Sequence, residues 1–284
     1  MELCQLEEIK RLLARHGFHF SKSMGQNFLI ENWVPQETAE ASGAAMGVGV
    51  LEIGPGIGAL TKELATRAET VVAVELDQSL VPILGETLAD FHNIKFIWGD
   101  ILKLNLPALC AEQFAGMRPV VCANLPYNIT SPAIAAFIDA DCFEQITVMI
   151  QKEVALRICA EPGSSDYGAF TVFCKYHADS ELLYEVPSTC FYPAPKVTSA
   201  VIRMKLRKTP LVAVENKEFF FRVVRAAFAQ RRKTLLNAIS AGLSIPKDEV
   251  RQIIIECGLS ENIRGERLGI PEFALLAKKL KVVS

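Results

Sequence analysis

Residues 48–53, Val-Gly-Val-Leu-Glu-Ile, run straight into Gly54-Pro55-Gly56-Ile57-Gly58 and then into a helix-forming stretch over 59–67. A short apolar run closed by glycines reads as a buried strand. A strand that turns through glycines into a helix leaves bare backbone at the helix N-terminus, where a ligand can rest. The next strand, 71–74, ends in Glu75, 21 residues after Gly54. From that position a carboxylate can accept hydrogen bonds from both hydroxyls of a ribose. Together these features point to an open α/β sheet with a nucleoside-bearing ligand at its strand ends. Gly54, Gly56 and Ala59 also fit G-x-G-x-x-(G/A), so a nicotinamide dehydrogenase competes at this point.

The following strands separate the two readings. Residues 94–98 form a third strand ending in Gly99-Asp100. The Asp100 carboxylate can accept from an adenine amino group, with Ile101 and Leu102 flanking the ring, although Asp after Gly is also an ordinary turn. A fourth apolar run, 120–122, delivers Ala123-Asn124-Leu125-Pro126-Tyr127. The Asn124 side-chain oxygen and nearby backbone carbonyls can accept hydrogen bonds from an exocyclic amine. Pro126 stiffens the turn, and Tyr127 offers a face on which a nucleobase can stack. Glycines with Glu75, then Asp100, then Asn124, on successive strand ends, look like a class I methyltransferase that uses S-adenosylmethionine. A dehydrogenase does not need the last of these. The expected fold is therefore α/β: a Rossmann-like doubly wound sheet of the class I methyltransferase type, with a small C-terminal helical domain.

Ahead of the sheet, Ile9, Leu12 and Leu13 have helical spacing over residues 7–16. Lys22-Ser23-Met24-Gly25-Gln26-Asn27-Phe28-Leu29 has neither helical nor alternating pattern; it either folds over a ligand or serves as a connector. Further helices are expected over 37–45, 80–88, 129–138 and 153–159, and strands over 145–150, 167–175, 180–186 and 199–205. Phe191-Tyr192-Pro193-Ala194-Pro195-Lys196-Val197 reads as a proline-stiffened loop. Its Phe191 is either core, which the spacing favours, or a second aromatic face opposite Tyr127. Past Pro210, residues 219–239 form one long amphipathic pattern, and shorter helices are expected over 253–257 and 272–280.

Charge is divided unevenly. Residues 1–206 hold 15 Lys+Arg against 24 Asp+Glu, a net of −9, whereas residues 207–284 hold 15 against 8, a net of +7. An acidic catalytic domain (1–206) followed by a basic helical one (207–284) hints at a polyanionic partner. Arg231, Arg232 and Lys233 are the candidate phosphate contacts. No apolar run reaches membrane-span length, and residues 2–11 are too charged for a signal peptide. The eight cysteines include no C-x-x-C pair and suit a reducing cytoplasm. The four histidines form no ligand cluster, so no metal is expected.

With these residues in place, the chain resembles the bacterial small-subunit (16S) ribosomal RNA adenine dimethyltransferases from near Lys10 to near Leu280. The resemblance rests on Gly25-Gln26-Asn27-Phe28-Leu29, Glu52-x-Gly54-x-Gly56-x-Gly58, Asn124-Leu125-Pro126-Tyr127, Phe191-x-Pro193-x-Pro195-Lys196-Val197-x-Ser199-Ala200 and Phe228-Ala229-Gln230-Arg231-Arg232-Lys233. Thr198 departs from the Asp often found in that family. The resemblance implies transfer of two methyl groups from S-adenosylmethionine to N6 of each of two adjacent adenosines near the 3′ end of the small-subunit RNA, with a role in late subunit assembly. It implies a cytoplasmic monomer with the small ribosomal subunit as partner. Gly54, Gly56, Glu75, Asp100, Ile101 and Asn124 would hold the cofactor, Asn27 and Leu29 would close over it, and Asn124, Leu125, Pro126, Tyr127 and Phe191 would take the target base. Two rivals stay open: the related large-subunit (23S) RNA methylases of macrolide resistance, and a non-catalytic RNA-binding assembly factor on the same scaffold.

Overall fold

The spacing of Ile9, Leu12 and Leu13 forms helix α1 (Leu6–Arg15), which buries all three side chains. They pack against Phe28, Ile57 and Leu84. In the computed structural model, which describes residues 2–21, 24–230 and 232–281, there follow β1 (Phe28–Leu29), α2 (Trp33–Ala41), β2 (Val48–Ile53), α3 (Ala59–Ala65), β3 (Thr70–Glu75), α4 (Val81–Thr87), β4 (Ile94–Trp98), α5 (Leu106–Gln113), β5 (Arg118–Asn124), α6 (Thr130–Asp139) and β6 (Gln145–Gln151). The chain continues through α7 (Lys152–Cys159), α8 (Ala169–His177), β7 (Ala178–Val186), β8 (Phe191–Tyr192), β9 (Ser199–Leu206), α9 (Lys217–Ala229), α10 (Leu235–Leu243), α11 (Lys247–Glu256) and α12 (Ile270–Leu280).

Seven strands form one sheet in the order β4-β3-β2-β5-β6-β9-β7. Strands β2 to β6 run parallel, and β9 lies antiparallel to β6. All six residues of β2 are buried, as expected of a central parallel strand covered on both faces. Strand order reverses between β2 and β5, which is where a doubly wound sheet opens a crevice at its strand C-termini. A separate ribbon pairs β1 with β8, placing Phe28 opposite Tyr192 and Leu29 opposite Phe191.

Two compact units divide the chain: Met1–Ala155 with Glu181–Leu206, and Leu156–Ser180 with Arg207–Ser284. The second unit therefore includes a segment that the sequence placed in the first domain. Within it, the expected strand over 167–175 is instead helix α8. Its aromatic and β-branched residues favour strand locally, but Thr171, Val172, Cys174 and Tyr176 are buried on a helical face. Thr171 Oγ1 also accepts from Gly168 N (3.1 Å) and donates to Arg157 O (2.6 Å), which anchors the first turn. Tyr176 packs on Phe220 and Phe221 of α9. Burying a phenylalanine fully, as at Phe220, stabilises by roughly 2–3 kcal/mol, which outweighs local strand preference.

The single long helix expected over 219–239 is broken. Helix α9 ends at Ala229, Gln230 leaves helical geometry (φ −131°, ψ 73°), and α10 begins after an extended Thr234. Helix α5 was not expected at all. Asn105 starts it, its side chain accepting from Ala108 N at 3.1 Å, with Pro107 in the first turn. Among the described residues no helix is long and apolar enough to cross a membrane.

Candidate active site

A cleft enclosing about 1130 Å³, its open mouth included, lies at the C-terminal ends of β2, β3, β4 and β5. Residues 24–28 and Phe191 also line it. The glycine turn after β2 supplies bare backbone. Gly54 adopts φ +67°, held by its N–H donating to Val74 O at 2.9 Å, and nothing lies within 4 Å of where a Cβ would project. A side chain there would be strained and would fill the cleft. At Gly56 (φ +61°) a Cβ would meet the Phe28 ring at 3.2 Å, so the N-terminal segment packs directly on the turn.

Glu75 closes β3 with only 7 % exposure. Its Oε1 accepts from Asp77 N at 2.8 Å. Burial raises its pKa above the usual carboxylate value, partly offset by backbone donors at Asp77, Gly56 and Leu76. Asp100 follows β4, and its Oδ1 accepts from Leu102 N at 3.0 Å, capping the short turn Ile101–Lys103. Ile101 is buried, whereas Leu102 and Leu76 are exposed apolar side chains lining the cleft. A buried carboxylate, a second carboxylate, apolar flanks and bare backbone form a lining suited to a nucleoside with a polar tail. Among the described residues no cluster of potential ligands could hold a metal ion.

Asn124, half-buried at the end of β5, faces the same cleft. Leu125 is buried and donates its N–H to Met149 O at 3.1 Å, which fixes the turn to β6. Of the backbone carbonyls near Asn124, that of Pro126 is engaged by Ile129 N (3.1 Å) and Thr130 Oγ1 (3.3 Å). It stabilises the turn. Tyr127 is half-buried, and its hydroxyl lies 2.8 Å from Ser199 Oγ. Burial raises the phenol pKa further above its usual value, so the group stays neutral.

Nearly every expected site residue of the first unit lines this one cleft: Asn27, Gly54, Gly56, Glu75, Asp100, Ile101, Asn124, Leu125, Pro126, Tyr127 and Phe191. Leu29 does not. It is buried one step behind, paired with Phe191 and packed with it in a core that includes Val34 and Met149. Phe191 is thus both core and cleft wall. Arg232 and Lys233 lie exposed in the turn between α9 and α10 of the second unit, rather than along a helix. Arg231 lies outside the described residues.

Three features escaped the sequence reading. Leu76 was hidden because a single exposed leucine has no periodicity. Gln26 donates through Nε2 to Asp77 Oδ2 at 2.6 Å and accepts from Ser21 N at 3.1 Å, clipping the N-terminal segment to the end of β3. The signal that could have pointed to that clip is Asp77-Gln78-Ser79, a side-chain-capped turn in which Asp77 Oδ1 accepts from Ser79 N at 3.0 Å. The third, Ser199, meets Tyr127 only through the tertiary fold.

The sequence model of a family described as ribosomal RNA adenine dimethylase matches residues 17–280. The chain belongs to the ribosomal RNA adenine dimethylase family. Members of this family are methyltransferases. The chain is 44 % identical over 276 residues to the ribosomal RNA small subunit methyltransferase A of Alkaliphilus oremlandii, covering 96 % of both chains. It is 47 % identical to the protein of the same name from Geobacillus thermodenitrificans, covering 95 % of this chain and 94 % of that one. Among solved structures, the dimethyladenosine transferase of Plasmodium falciparum shares the fold, with a TM-score of 0.73, 22 % identity and coverage of 89 % and 97 %. The 23S rRNA methyltransferase ErmE aligns with a TM-score of 0.69 at 27 % identity, covering 89 % of this dimethylase and 99 % of ErmE.

Proposed function

We propose that this dimethylase transfers methyl groups from S-adenosylmethionine to N6 of two adjacent adenosines near the 3′ end of small-subunit (16S) ribosomal RNA, and that it acts during small-subunit biogenesis. The observation that carries the reading is the meeting of Glu75, Asp100 and Asn124 with bare Gly54 backbone in one cleft. The choice of small over large subunit rests on the names of relatives at 44 % and 47 % identity, against 27 % for ErmE.

S-adenosylmethionine supplies an electrophilic sulfonium methyl group. Glu75 would accept from its ribose hydroxyls and Asp100 from its adenine amino group. Leu76 and Leu102 would flank the adenine, and the backbone at Gly54 would meet the methionyl part. Asn27 and the Gln26–Asp77 clip would keep the N-terminal segment over it. The target base must leave its stack, at a cost of a few kcal/mol. Stacking on the Tyr127 ring, with Phe191 as a second aromatic wall of the cleft, offsets part of that at about 1–3 kcal/mol per base. The N6 lone pair is delocalised into the ring and is a poor nucleophile. Asn124 Oδ1 accepts from N6–H and favours a pyramidal amine, which frees the lone pair for in-line attack. Tyr127, its phenol neutral and bound to Ser199, does not serve as a base, and the acidic methylated ammonium passes its proton to water. Positioning carries most of the rate enhancement. Arg232 and Lys233, on a unit with 17 Lys+Arg against 11 Asp+Glu, contact RNA phosphates.

The test is incubation of the protein with labelled S-adenosylmethionine and either methyl-deficient small subunits or large subunits, followed by mapping of the product base. N6,N6-dimethyladenosine on small-subunit RNA is expected. Label on large-subunit RNA would replace this reading with the ErmE-like one, and RNA binding without label would replace it with a non-catalytic role.

A further inference from the structure

Helix α5 and the residues after α6 bring two thiols together. Cys110, on α5, is buried. Cys142 is partly exposed and directly follows Asp141, whose φ of +51° reverses the chain after α6. Their Sγ atoms lie 2.8 Å apart although the residues are 32 positions apart in sequence. Both are free thiols. Neither lines the cleft, and the methyl-transfer chemistry does not use them.

We propose that Cys110 and Cys142 are a reversible oxidation site, which closes to an intramolecular disulfide on reaction with a low-molecular-weight disulfide such as oxidised glutathione. Cys142 attacks first and Cys110 resolves. Cys142 is the more accessible sulfur, and a hydrogen bond from Cys110 lowers its pKa. Cys110 has its own pKa raised by that bond and by burial. The thiolate is the attacking species, so the asymmetry sets the order. The Cys142 thiolate attacks one sulfur of oxidised glutathione, forming a mixed disulfide and expelling a glutathione thiolate. Cys110 then loses its proton and attacks Cys142 Sγ, closing the protein disulfide and expelling the second glutathione thiolate. Two protein thiols are oxidised, one glutathione disulfide is reduced, and the protons lost by the cysteines end on the two released thiolates.

The location gives the bond a structural consequence. The loop it closes contains β5, the Asn124–Tyr127 turn and α6. It ties the end of the helix that follows the turn to the helix that follows Asp100. A cross-link across a loop of this length restricts the unfolded chain, so the oxidised protein should melt at a higher temperature than the reduced one. In a reducing compartment the pair remains a dithiol and the constraint is absent.

The experiment incubates the full chain with excess oxidised glutathione, counts thiols after denaturation and maps the peptides. Wild-type protein should fall from eight titratable thiols to six, yield one linked pair joining Cys110 to Cys142, and return to eight on reduction. Cys110→Ala should stop at a glutathione adduct on Cys142, and Cys142→Ala should leave Cys110 unreacted. Wild-type mapping decides the matter even if a variant folds poorly. Eight remaining thiols, a persistent Cys142 adduct in the wild type, or a link between other cysteines would each overturn the proposal.

Discussion

The Tyr127 hydroxyl and the Ser199 hydroxyl lie 2.8 Å apart, joining residues 72 positions apart in sequence. Ser199 is the first residue of β9, paired opposite Gln151 at the end of β6, and is fully buried. Tyr127 follows β5 on the other side of β6. The aromatic face presented to the cleft is therefore oriented by a strand that contributes no residue to the cleft lining.

If that hydroxyl pair sets the ring, Ser199→Ala and Tyr127→Phe should each lower methyl transfer by roughly two- to tenfold, the effect of losing one net hydrogen bond. The double variant should be no worse than the poorer single one, because both remove the same interaction. Affinity for S-adenosylmethionine should not change. Rate effects that multiply in the double variant would show that the two hydroxyls act independently.

Asn124 and Glu75 should separate catalysis from cofactor binding. Asn124→Ala should keep cofactor affinity but lose methyl transfer by roughly two orders of magnitude or more, as when one preorganised transition-state hydrogen bond is removed. Glu75→Ala should weaken S-adenosylmethionine by about 1.5–3 kcal/mol, the range for hydrogen bonds to charged groups. Calorimetric titration and single-turnover rates measured on both variants check the pair. Near-normal single-turnover rates in Asn124→Ala, or unchanged affinity in Glu75→Ala, would remove that residue from its role.

Glu52, inside β2, is 1 % exposed. The hydroxyl of buried Thr61 lies beside its carboxyl and partly offsets the effect of burial. Burial pushes the Glu52 pKa from 4.5 to about 8. The folded protein thus holds a proton that the unfolded chain releases near 4.5, so the favourable contribution is complete below that pH. It is lost as pH rises towards 8. Glu52→Gln cannot ionise. Its Tm relative to wild type should rise between about pH 5 and pH 8 and then level off, reflecting up to a few kcal/mol. A Tm difference independent of pH across that window would contradict it.

Replacing exposed Arg232 and Lys233 with Ala should weaken subunit binding while leaving cofactor affinity intact. The log–log salt dependence should flatten by roughly 0.7–0.9 for each phosphate no longer neutralised, a value established for DNA. A melting curve beside the salt series distinguishes this from simple solvation of the turn. An unchanged slope would remove these two residues from the RNA interface.

Most of the sheet and most of the cleft were legible in the chain because local chemistry decides them. The apolar run into Gly54 favours a strand and turn by itself, Glu75 and Asn124 end their strands, and Asp100 follows two residues after β4. Parallel strands then align their C-terminal ends by geometry, so residues at those ends must converge. Elements governed by distant partners were not legible. Helix α8 carries strand-favouring residues and is helical because its buried face packs on α9. Leu29 belongs to a wall rather than to the cleft because β1 pairs with β8, more than 160 positions away. The Gln26–Asp77 clip, the Tyr127–Ser199 pair and the Cys110–Cys142 pair join residues 51, 72 and 32 positions apart. No periodicity or motif encodes such meetings, since each depends on how separate elements pack together.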